Sequence, residues 1–256
     1  MPCEQAKKRI ETIWPKSATP NHDLLISVFR RPAQAMSTAF TDLDGEPGVR
    51  GFLHLPSRAN GDGILLTHGA GSNCRSELLV HMADALVTSG FTVLRFDLPF
   101  RQARPHGPPF PGGAKGDRDG LRRALAVLQS RVSGRVFLGG HSYGGRQSTI
   151  LISEEPQAAE GLLLLSYPLH PPRKLEQLRT THFPKIAKPA FFVHGTRDPF
   201  GSIAEMKAAL ELIPARHGLM EVEGAGHELL PKKSPADLPG RIAEAFEAFI
   251  GSRRSA

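Results

Sequence analysis

The stretch Gly139–Gly145, which reads Gly-Gly-His-Ser-Tyr-Gly-Gly, is the most informative part of the sequence. It contains the chain's single Gly-x-Ser-x-Gly pattern and joins a predicted strand at Arg135–Gly139 to a predicted helix at Tyr143–Ser153. A serine on such a sharp turn stands exposed at the sheet edge, beside a helix N-terminus that favours developing negative charge. Because so tight a turn leaves no room for large side chains, glycines are expected around it. The pattern therefore predicts that Ser142 is a nucleophile.

Outward from this turn, short apolar runs alternate with amphipathic segments. The predicted strands are Ala33–Thr41, Val49–Leu55, Ile64–Thr67, Phe91–Phe96, Arg135–Gly139, Leu162–Ser166, Ala190–His194 and Leu219–Val222. The predicted helices are Glu77–Thr88, Asp117–Arg131, Tyr143–Ser153, Leu175–Arg179, Ile203–Leu212 and Arg241–Ile250. The first two strands are expected to pair antiparallel around a turn at residues 44–46, and the proline-rich residues 97–116 are expected to form a loop. This alternation predicts an α/β fold with a mostly parallel sheet covered by helices on both faces.

A serine hydroxyl needs a base to take its proton, and the base needs an acid to orient it. In parallel sheets the functional residues follow the carboxyl ends of the strands, so both partners are expected there. His227 ends the glycine-rich stretch 223–227 after the last predicted strand, and Asp198 follows the strand before it. The chain order Ser142, Asp198, His227 is a known order for such a triad on an α/β sheet. These three residues are predicted to form the catalytic site.

Other polar residues near the strand ends have different predicted roles. His141 adjoins the nucleophile, but its side chain leaves the turn in another direction, so it is predicted to pack against the pocket or to tune it. His68 and His194 each precede a glycine at a strand end and are predicted to be structural. Asp97 is predicted to shape its loop. His217 lies at the opposite end of the last strand and is excluded as the base.

An acyl-transfer reaction needs backbone donors for the oxyanion of its intermediate. The amide of Tyr143, directly after the nucleophile, is predicted as one donor. The turn His68–Gly71 has small residues that let its backbone approach the reacting carbon. The amide of Ala70 is therefore predicted as the second oxyanion-hole donor, with Gly71 as the alternative. Cys74, shortly after this turn, is predicted to pack, with a reactive thiol as the alternative.

The composition excludes several classes of protein. The 256 residues carry 32 Lys and Arg against 25 Asp and Glu, a net charge of +7, with 40% hydrophobic residues, which excludes a disordered chain. The longest apolar run, Leu162–Leu165, is too short to cross a membrane, and no secretory leader is predicted. Basic residues are scattered, which favours a solvated surface over nucleic-acid binding. Two cysteines, Cys3 and Cys74, fit a reducing compartment, so a cytoplasmic protein is expected.

The sequence contains no pattern that indicates a metal or nucleotide cofactor. It lacks His-Glu-x-x-His, Cys-x-x-Cys and Gly-x-x-x-x-Gly-Lys-Ser/Thr. The glycines of residues 112–120 do not have the strand-to-helix context of a dinucleotide fingerprint. We therefore predict neither a cofactor nor a metal.

From about Ala39 onward, the sequence resembles the α/β-hydrolase superfamily. More narrowly it resembles the small, capless branch near the dienelactone hydrolases, on the stretches His68–Gly71, Arg95–Phe100 and Gly139–Arg146. Within that branch these stretches look like the hydrolase-like domain shared by a testis-expressed protein and a subunit of the non-specific-lethal acetyltransferase complex. Dienelactone hydrolases use a cysteine nucleophile where this chain has Ser142. The resemblance therefore implies serine-hydrolase chemistry and leaves the substrate open.

The domain prediction follows from the same pattern. Residues 1–30 are predicted to be an N-terminal extension, and residues 31–256 a single α/β-hydrolase domain without a cap. The predicted function is hydrolysis of a small ester, thioester or activated amide through an acyl-enzyme, by a serine hydrolase of the carboxylesterase or thioesterase type. The alternative is a hydrolase-fold interaction module with little or no turnover. The oligomeric state is left open.

Several basic side chains are expected near the predicted site, which points to a small acyl substrate that carries negative charge. They are Arg101, Arg104, His106, Lys115 and Arg146. The alternative interpretation is that these charges are solvated and do not contact substrate.

Overall fold

A computed structural model describes residues 36–110, 112–230 and 237–251. The strands in these residues are β1 (Met36–Asp42), β2 (Val49–Leu55), β3 (Gly63–Thr67), β4 (Thr92–Phe96), β5 (Val136–His141), β6 (Leu162–Leu165), β7 (Ala190–Gly195) and β8 (His217–Val222). The helices are α1 (Glu77–Thr88), α2 (Pro99–Ala103), α3 (Ala114–Gln129), α4 (Tyr143–Glu154), α5 (Ile203–Leu210) and α6 (Leu238–Gly251). Two short 3-10 turns lie at Pro156–Ala158 and Phe183–Lys185. The predicted N-terminal extension, residues 1–30, lies outside the described residues.

The described strands form one sheet in the order β1-β2-β4-β3-β5-β6-β7-β8. β1 pairs antiparallel with β2, and β2 pairs antiparallel with β4, whereas the pairs from β4 to β8 are parallel. The predicted α/β class and the antiparallel opening pair are confirmed. After β3 the chain first adds β4 on one side and then β5 on the other, so the strand order reverses between β3 and β5. In such sheets the ligand site lies at this reversal, beyond the carboxyl ends of the strands.

The core has two halves, one on each face of the sheet. Alternate residues of a strand point to opposite faces, so Leu65 packs in the half beneath α3 and α4, while Ile64 and Leu66 pack in the half beneath α1 and α6. Phe137 of β5 meets Phe246 of α6 edge to face, with ring centroids 5.5 Å apart. Strands buried on both faces read as continuous apolar runs, which is why these strands could be predicted.

The prediction of a helix at Leu175–Arg179 is wrong, because these residues form turns. A short helix is stable only when it buries an apolar face, and the two leucines of this stretch, Leu175 and Leu178, are 58% and 49% exposed. Arg173 just before them has a φ of +64°, in the left-handed region that a helix does not contain.

The predicted loop at residues 97–116 is corrected in part, since it contains α2 and the first residues of α3. Proline breaks a helix when it lies in the interior. It is tolerated in the first turn, because the N–H that it lacks would have no helical acceptor there. Pro99 occupies that position in α2. The strand that leads to Ser142 also extends further than predicted, to His141. None of the described helices is long and apolar enough to cross a bilayer.

Candidate active site

The turn that carries Ser142 is strained, and its neighbours are glycines for steric reasons. Ser142 lies between β5 and α4 with a φ of +50°, a conformation that is uncommon for a residue with a side chain. A Cβ added at Gly140 would lie 2.7 Å from the carbonyl carbon of Gly144, and one added at Gly144 would lie 2.7 Å from the carbonyl oxygen of His68. The predicted tight turn with small flanking residues is present.

The structure brings together the three residues that the sequence predicts. The Nε2 atom of His227 is 2.8 Å from Ser142 Oγ, and its Nδ1 atom is 2.8 Å from Asp198 Oδ2. Because a carboxylate only accepts, Nδ1 carries the proton and donates it to Asp198, which leaves the Nε2 lone pair to accept from the serine hydroxyl. Asp198 is only 6% exposed, and its other oxygen accepts from the Phe200 N–H at 2.9 Å. This hydrogen-bonded chain is oriented for proton transfer from the serine.

The loop that carries His227 is held by the histidine beside Ser142. His141 Nε2 is 2.9 Å from the carbonyl oxygen of His227 and therefore donates to it. Burial lowers the pKa of His141, so its ring is neutral at pH 7. On the other side, the ring of Phe200 stacks on His227 with centroids 4.2 Å apart. His141 therefore packs, as predicted, and its hydrogen bond fixes the backbone of His227, the predicted base.

His68 ties the turn after β3 to its neighbours. Its Nδ1–H donates to the Gly69 carbonyl at 2.9 Å, and its Nε2 accepts from the Leu98 N–H at 3.1 Å. The carbonyl of His68 accepts from the Gly144 N–H at 3.1 Å, which joins this turn to the first turn of α4. His194 is also buried and donates to the Gly201 carbonyl at 2.7 Å. Both histidines have the structural role that the sequence predicts.

The amides predicted to hold an oxyanion are available for a ligand. Within the described ranges, the N–H groups of Tyr143, Ala70 and the alternative Gly71 have no acceptor. The turn also approaches Ser142 closely, since a Cβ at Gly69 would lie 3.4 Å from Ser142 Cβ. Unpaired donors beside a nucleophile are the arrangement that oxyanion stabilisation requires.

Arg101 of α2 fixes this same turn, a role that sequence reasoning missed. Its guanidinium donates to the carbonyls of Ala70 at 2.9 Å, Ser72 at 2.8 Å and Gly107 at 2.9 Å. The residue is only 6% exposed. Because its donors are used by backbone carbonyls, Arg101 positions the turn and does not present free charge to a substrate. No sequence signal distinguishes such an arginine from a solvated one.

Asp117 of α3 fixes Tyr143 on the other side of the site. Its Oδ2 accepts from the Tyr143 hydroxyl at 2.7 Å, and its Oδ1 accepts from the Phe100 N–H at 3.0 Å. Burial raises the pKa of the Asp117 carboxyl, while these two hydrogen bonds act in the opposite direction. From the sequence, Asp117 is predicted only as the first residue of a helix. The structure shows that it connects α2, α3 and α4 next to Ser142.

Cys74 packs, as predicted. The residue is 1% exposed, and burial, with the nearby Asp97 carboxylate, raises the pKa of its thiol to about 12. A thiol that stays protonated is a poor nucleophile. Asp97 accepts from the Cys74 N–H at 2.7 Å, so its carboxylate holds the loop after β3, whereas the prediction placed its role in the loop that Asp97 itself begins. In the described part of the chain, no group of three or more His, Cys, Asp or Glu side chains is placed to hold a metal ion.

Several solved structures share this fold along their whole length. A dienelactone hydrolase from Anabaena variabilis matches with a TM-score of 0.67 and 21% identity, over 86% of this chain and 98% of that one. A serine hydrolase from Xanthomonas campestris, described as lacking a lid, matches with a TM-score of 0.63 and 18% identity, over 86% and 96% of the two chains. The protein Est1E from Butyrivibrio proteoclasticus matches with a TM-score of 0.62 and 16% identity, over 86% and 100%.

A sequence-family model describes most of the chain. The model is that of an alpha/beta hydrolase domain, and it matches residues 60–251, which include the turn after β3, Ser142, Asp198 and His227. These matches do not bear on the narrower likeness to the testis-expressed and non-specific-lethal-complex group, which stays a prediction. Together with the sheet order, the match leads to one conclusion: this chain belongs to the alpha/beta hydrolase family.

Proposed function

We propose that this protein is a serine hydrolase that cleaves a small ester, thioester or activated amide through an acyl-enzyme. The observation that carries the proposal is the continuous hydrogen-bonded chain from Ser142 through His227 to Asp198, with both distances at 2.8 Å. Such a chain activates a serine hydroxyl that is otherwise a poor nucleophile. The unpaired amides of Tyr143 and Ala70 beside the serine support it further.

In the first half of the reaction, Ser142 Oγ attacks the acyl carbon while His227 Nε2 takes the hydroxyl proton. The negative charge that develops on the carbonyl oxygen is stabilised by the amides of Tyr143 and Ala70. Asp198 stabilises the imidazolium and keeps its orientation. His227 then gives the proton to the leaving group, the bond from the acyl carbon to the leaving group breaks, and an ester between Ser142 and the acyl group remains.

In the second half, a water molecule replaces the leaving group. His227 takes a proton from the water as its oxygen attacks the acyl carbon, and the same two amides hold the second oxyanion. The proton passes to Ser142 Oγ, the acyl–serine bond breaks, and the acid leaves. Both halves use the same five groups, which are the side chains of Ser142, His227 and Asp198 and the amides of Tyr143 and Ala70.

The proposal is tested by labelling with a fluorophosphonate and by turnover of 4-nitrophenyl acetate. We expect wild type to be labelled and to release 4-nitrophenol, and Ser142→Ala to lose the label and several orders of magnitude in kcat. Ser153→Ala is the matched control, since it removes a hydroxyl from the same helix that only donates to the Ile150 carbonyl. It should be labelled like wild type.

Two results would contradict the proposal. Equal labelling of wild type and Ser142→Ala would show that another residue is the nucleophile. An unlabelled wild type with an intact circular dichroism melt would favour the interaction-module alternative.

A further inference from the structure

Arg146 lies one helical turn beyond Ser142. Its backbone N–H donates to the Ser142 carbonyl at 2.9 Å, as the first full turn of α4 closes. The Cα–Cβ bonds of a helix tilt toward its N-terminus, so the Arg146 side chain leans toward the end of α4 at which Ser142 lies. The neighbouring face is occupied by α3, since Gln147 accepts from Arg118 at 3.1 Å.

The charge of Arg146 has no partner in the part of the chain that the structure describes. Its Nε atom is buried without a hydrogen bond, and its guanidinium has no ion pair there. This differs from Arg101, Arg118 and Arg122, whose guanidinium groups are all used by carbonyls or carboxylates. A buried donor without an acceptor costs free energy, so its retention needs an explanation.

A second arginine, Arg179, lies in the loop after β6. It is half-buried, and its one described side-chain hydrogen bond goes to the Pro168 carbonyl at 3.2 Å. Burial, together with the nearby charge of Arg146, lowers the pKa of Arg179. The same two causes lower the pKa of His182 to about 4, so that ring is neutral at pH 7. No carboxylate contributes to either shift.

The loop that carries Arg179 borders the nucleophile. The Ser142 N–H donates to the carbonyl of Leu165, the last residue of β6, at 2.9 Å. Two residues later Tyr167 is buried, and its hydroxyl donates to the Arg179 carbonyl at 2.6 Å. The N–H of Arg179 donates to the Leu169 carbonyl at 2.8 Å. Arg179 is thus fixed at the carboxyl end of β6, next to the strand end that carries Ser142.

We propose that Arg146 and Arg179 bind an anionic oxygen group, a carboxylate or a phosphate, on the acyl part of the substrate. The inference rests on the proposed function and narrows its substrate class to acyl groups with a negatively charged end. The planar fork of an arginine matches either group with two parallel hydrogen bonds. The bound anion supplies the counter-charge that the described residues lack, and it orients the acyl carbon toward Ser142.

The test compares esters that differ only in that charge. The probes are 4-nitrophenyl hydrogen glutarate and hydrogen adipate, each paired with its neutral methyl ester. For wild type we expect kcat/KM to be about tenfold or more higher for the anionic member of at least one pair, because a hydrogen bond to a charged group has at least that effect on an equilibrium constant. Arg146→Gln and Arg179→Gln should each lower this anionic-to-neutral ratio toward one, and Arg146→Lys should restore it in part.

The control variant is Arg131→Gln. It removes one positive charge from an exposed position at the other end of the sheet, where the guanidinium lies over the Phe40 ring. It should leave the ratio at the wild-type value, which excludes an effect of net charge alone. A role of Arg146 only in stability would lower kcat/KM for both esters equally and leave the ratio unchanged, and that outcome would overturn the inference.

The outcomes separate this inference from the proposed function. Turnover of both esters without a preference overturns the inference and leaves the hydrolase proposal intact. If neither ester is cleaved, calorimetric binding of monomethyl glutarate to Ser142→Ala and to Ser142→Ala with Arg146→Gln decides the matter. Equal affinities overturn the inference, and weaker binding by the double variant supports it. Competition by inorganic phosphate but not by acetate in that titration would identify phosphate as the preferred anion.

Discussion

Asp198 determines which ring nitrogen of His227, the proposed base, carries the proton. One carboxylate oxygen accepts from His227 Nδ1–H, and the other accepts from the Phe200 N–H, so the carboxylate is held at both ends. The Phe200 ring in turn stacks on the imidazole it helps to place. This small unit selects the tautomer in which Nε2 faces Ser142 unprotonated. A single nitrogen-for-oxygen replacement is therefore enough to test it.

We expect Asp198→Asn to keep the fold and to lower kcat by about 10³–10⁴-fold, because an amide in that position no longer favours the tautomer with the proton on Nδ1. The measurement is kcat with 4-nitrophenyl acetate, alongside the melting temperature. The matched control is Asp44→Asn, an exposed residue in the turn between β1 and β2, which should behave like wild type. Unchanged kcat in a folded Asp198→Asn protein would show that the carboxylate does not orient the base.

The short helix α2 fixes the position of the turn after β3 through hydrogen bonds. Through Arg101 it holds two carbonyls of that turn, and through the Leu98 N–H at its start it holds His68. Through Phe100 it is joined to Asp117, and so to Tyr143. Both proposed oxyanion donors are thus positioned by one five-residue helix.

We predict that Arg101→Met lowers kcat by roughly tenfold to hundredfold, because the Ala70 amide is no longer fixed and a misplaced group loses about that much. Arg101→Lys should recover only part of the loss, since an ammonium group cannot span three carbonyls. The control is Arg104→Met, at the position that directly follows this helix, where the guanidinium lies over the exposed Phe110 ring and donates to the Pro108 carbonyl. A fall in melting temperature with kcat unchanged would contradict the positioning role.

The sequence predicts well those elements whose buried residues are apolar and recur with the period of the helix or strand. α1 was predicted at Glu77–Thr88 and lies there, because its buried leucines repeat at helical spacing. The three residues of the proposed triad could be predicted because each follows a strand end. In contrast, the helix predicted at Leu175–Arg179 is absent, because local pattern says nothing about whether an apolar face finds a partner. The role of Arg101 was missed for the same reason, since its acceptors are carbonyls brought near only by folding.

At the scale of the whole molecule, the fold buries several histidines in the neutral form. His54 lies in β2, and its Nε2 accepts from Arg95 Nε at 2.9 Å. This bond requires that the nitrogen is unprotonated. Burial, and then the charge of Arg95, lowers the pKa of His54 to about 4. Burial also lowers the pKa values of other histidines near the site, which are His68, His141, His182 and His194.

We expect the free energy of unfolding to fall as the pH falls from 6.5 toward about 4. The upper limit is the ordinary pKa of histidine, and the lower limit is the pKa of His54 and His182 in the folded protein. Between these values the unfolded chain binds protons that the folded chain excludes, so stability rises with pH in this interval and these histidines add no further change above it. One pKa unit corresponds to about 1.4 kcal/mol for each group, so the combined loss is on the order of a few kcal/mol or more. Urea unfolding at a series of pH values measures it.

The variant His54→Gln isolates one contribution to this slope. The glutamine oxygen can accept from Arg95 as the imidazole nitrogen does, but it does not titrate, so the dependence of stability on pH between 6.5 and 4 should become less steep than in wild type. A wild-type stability that stays constant between pH 7 and pH 4.5, or a His54→Gln slope equal to that of wild type, would contradict the account.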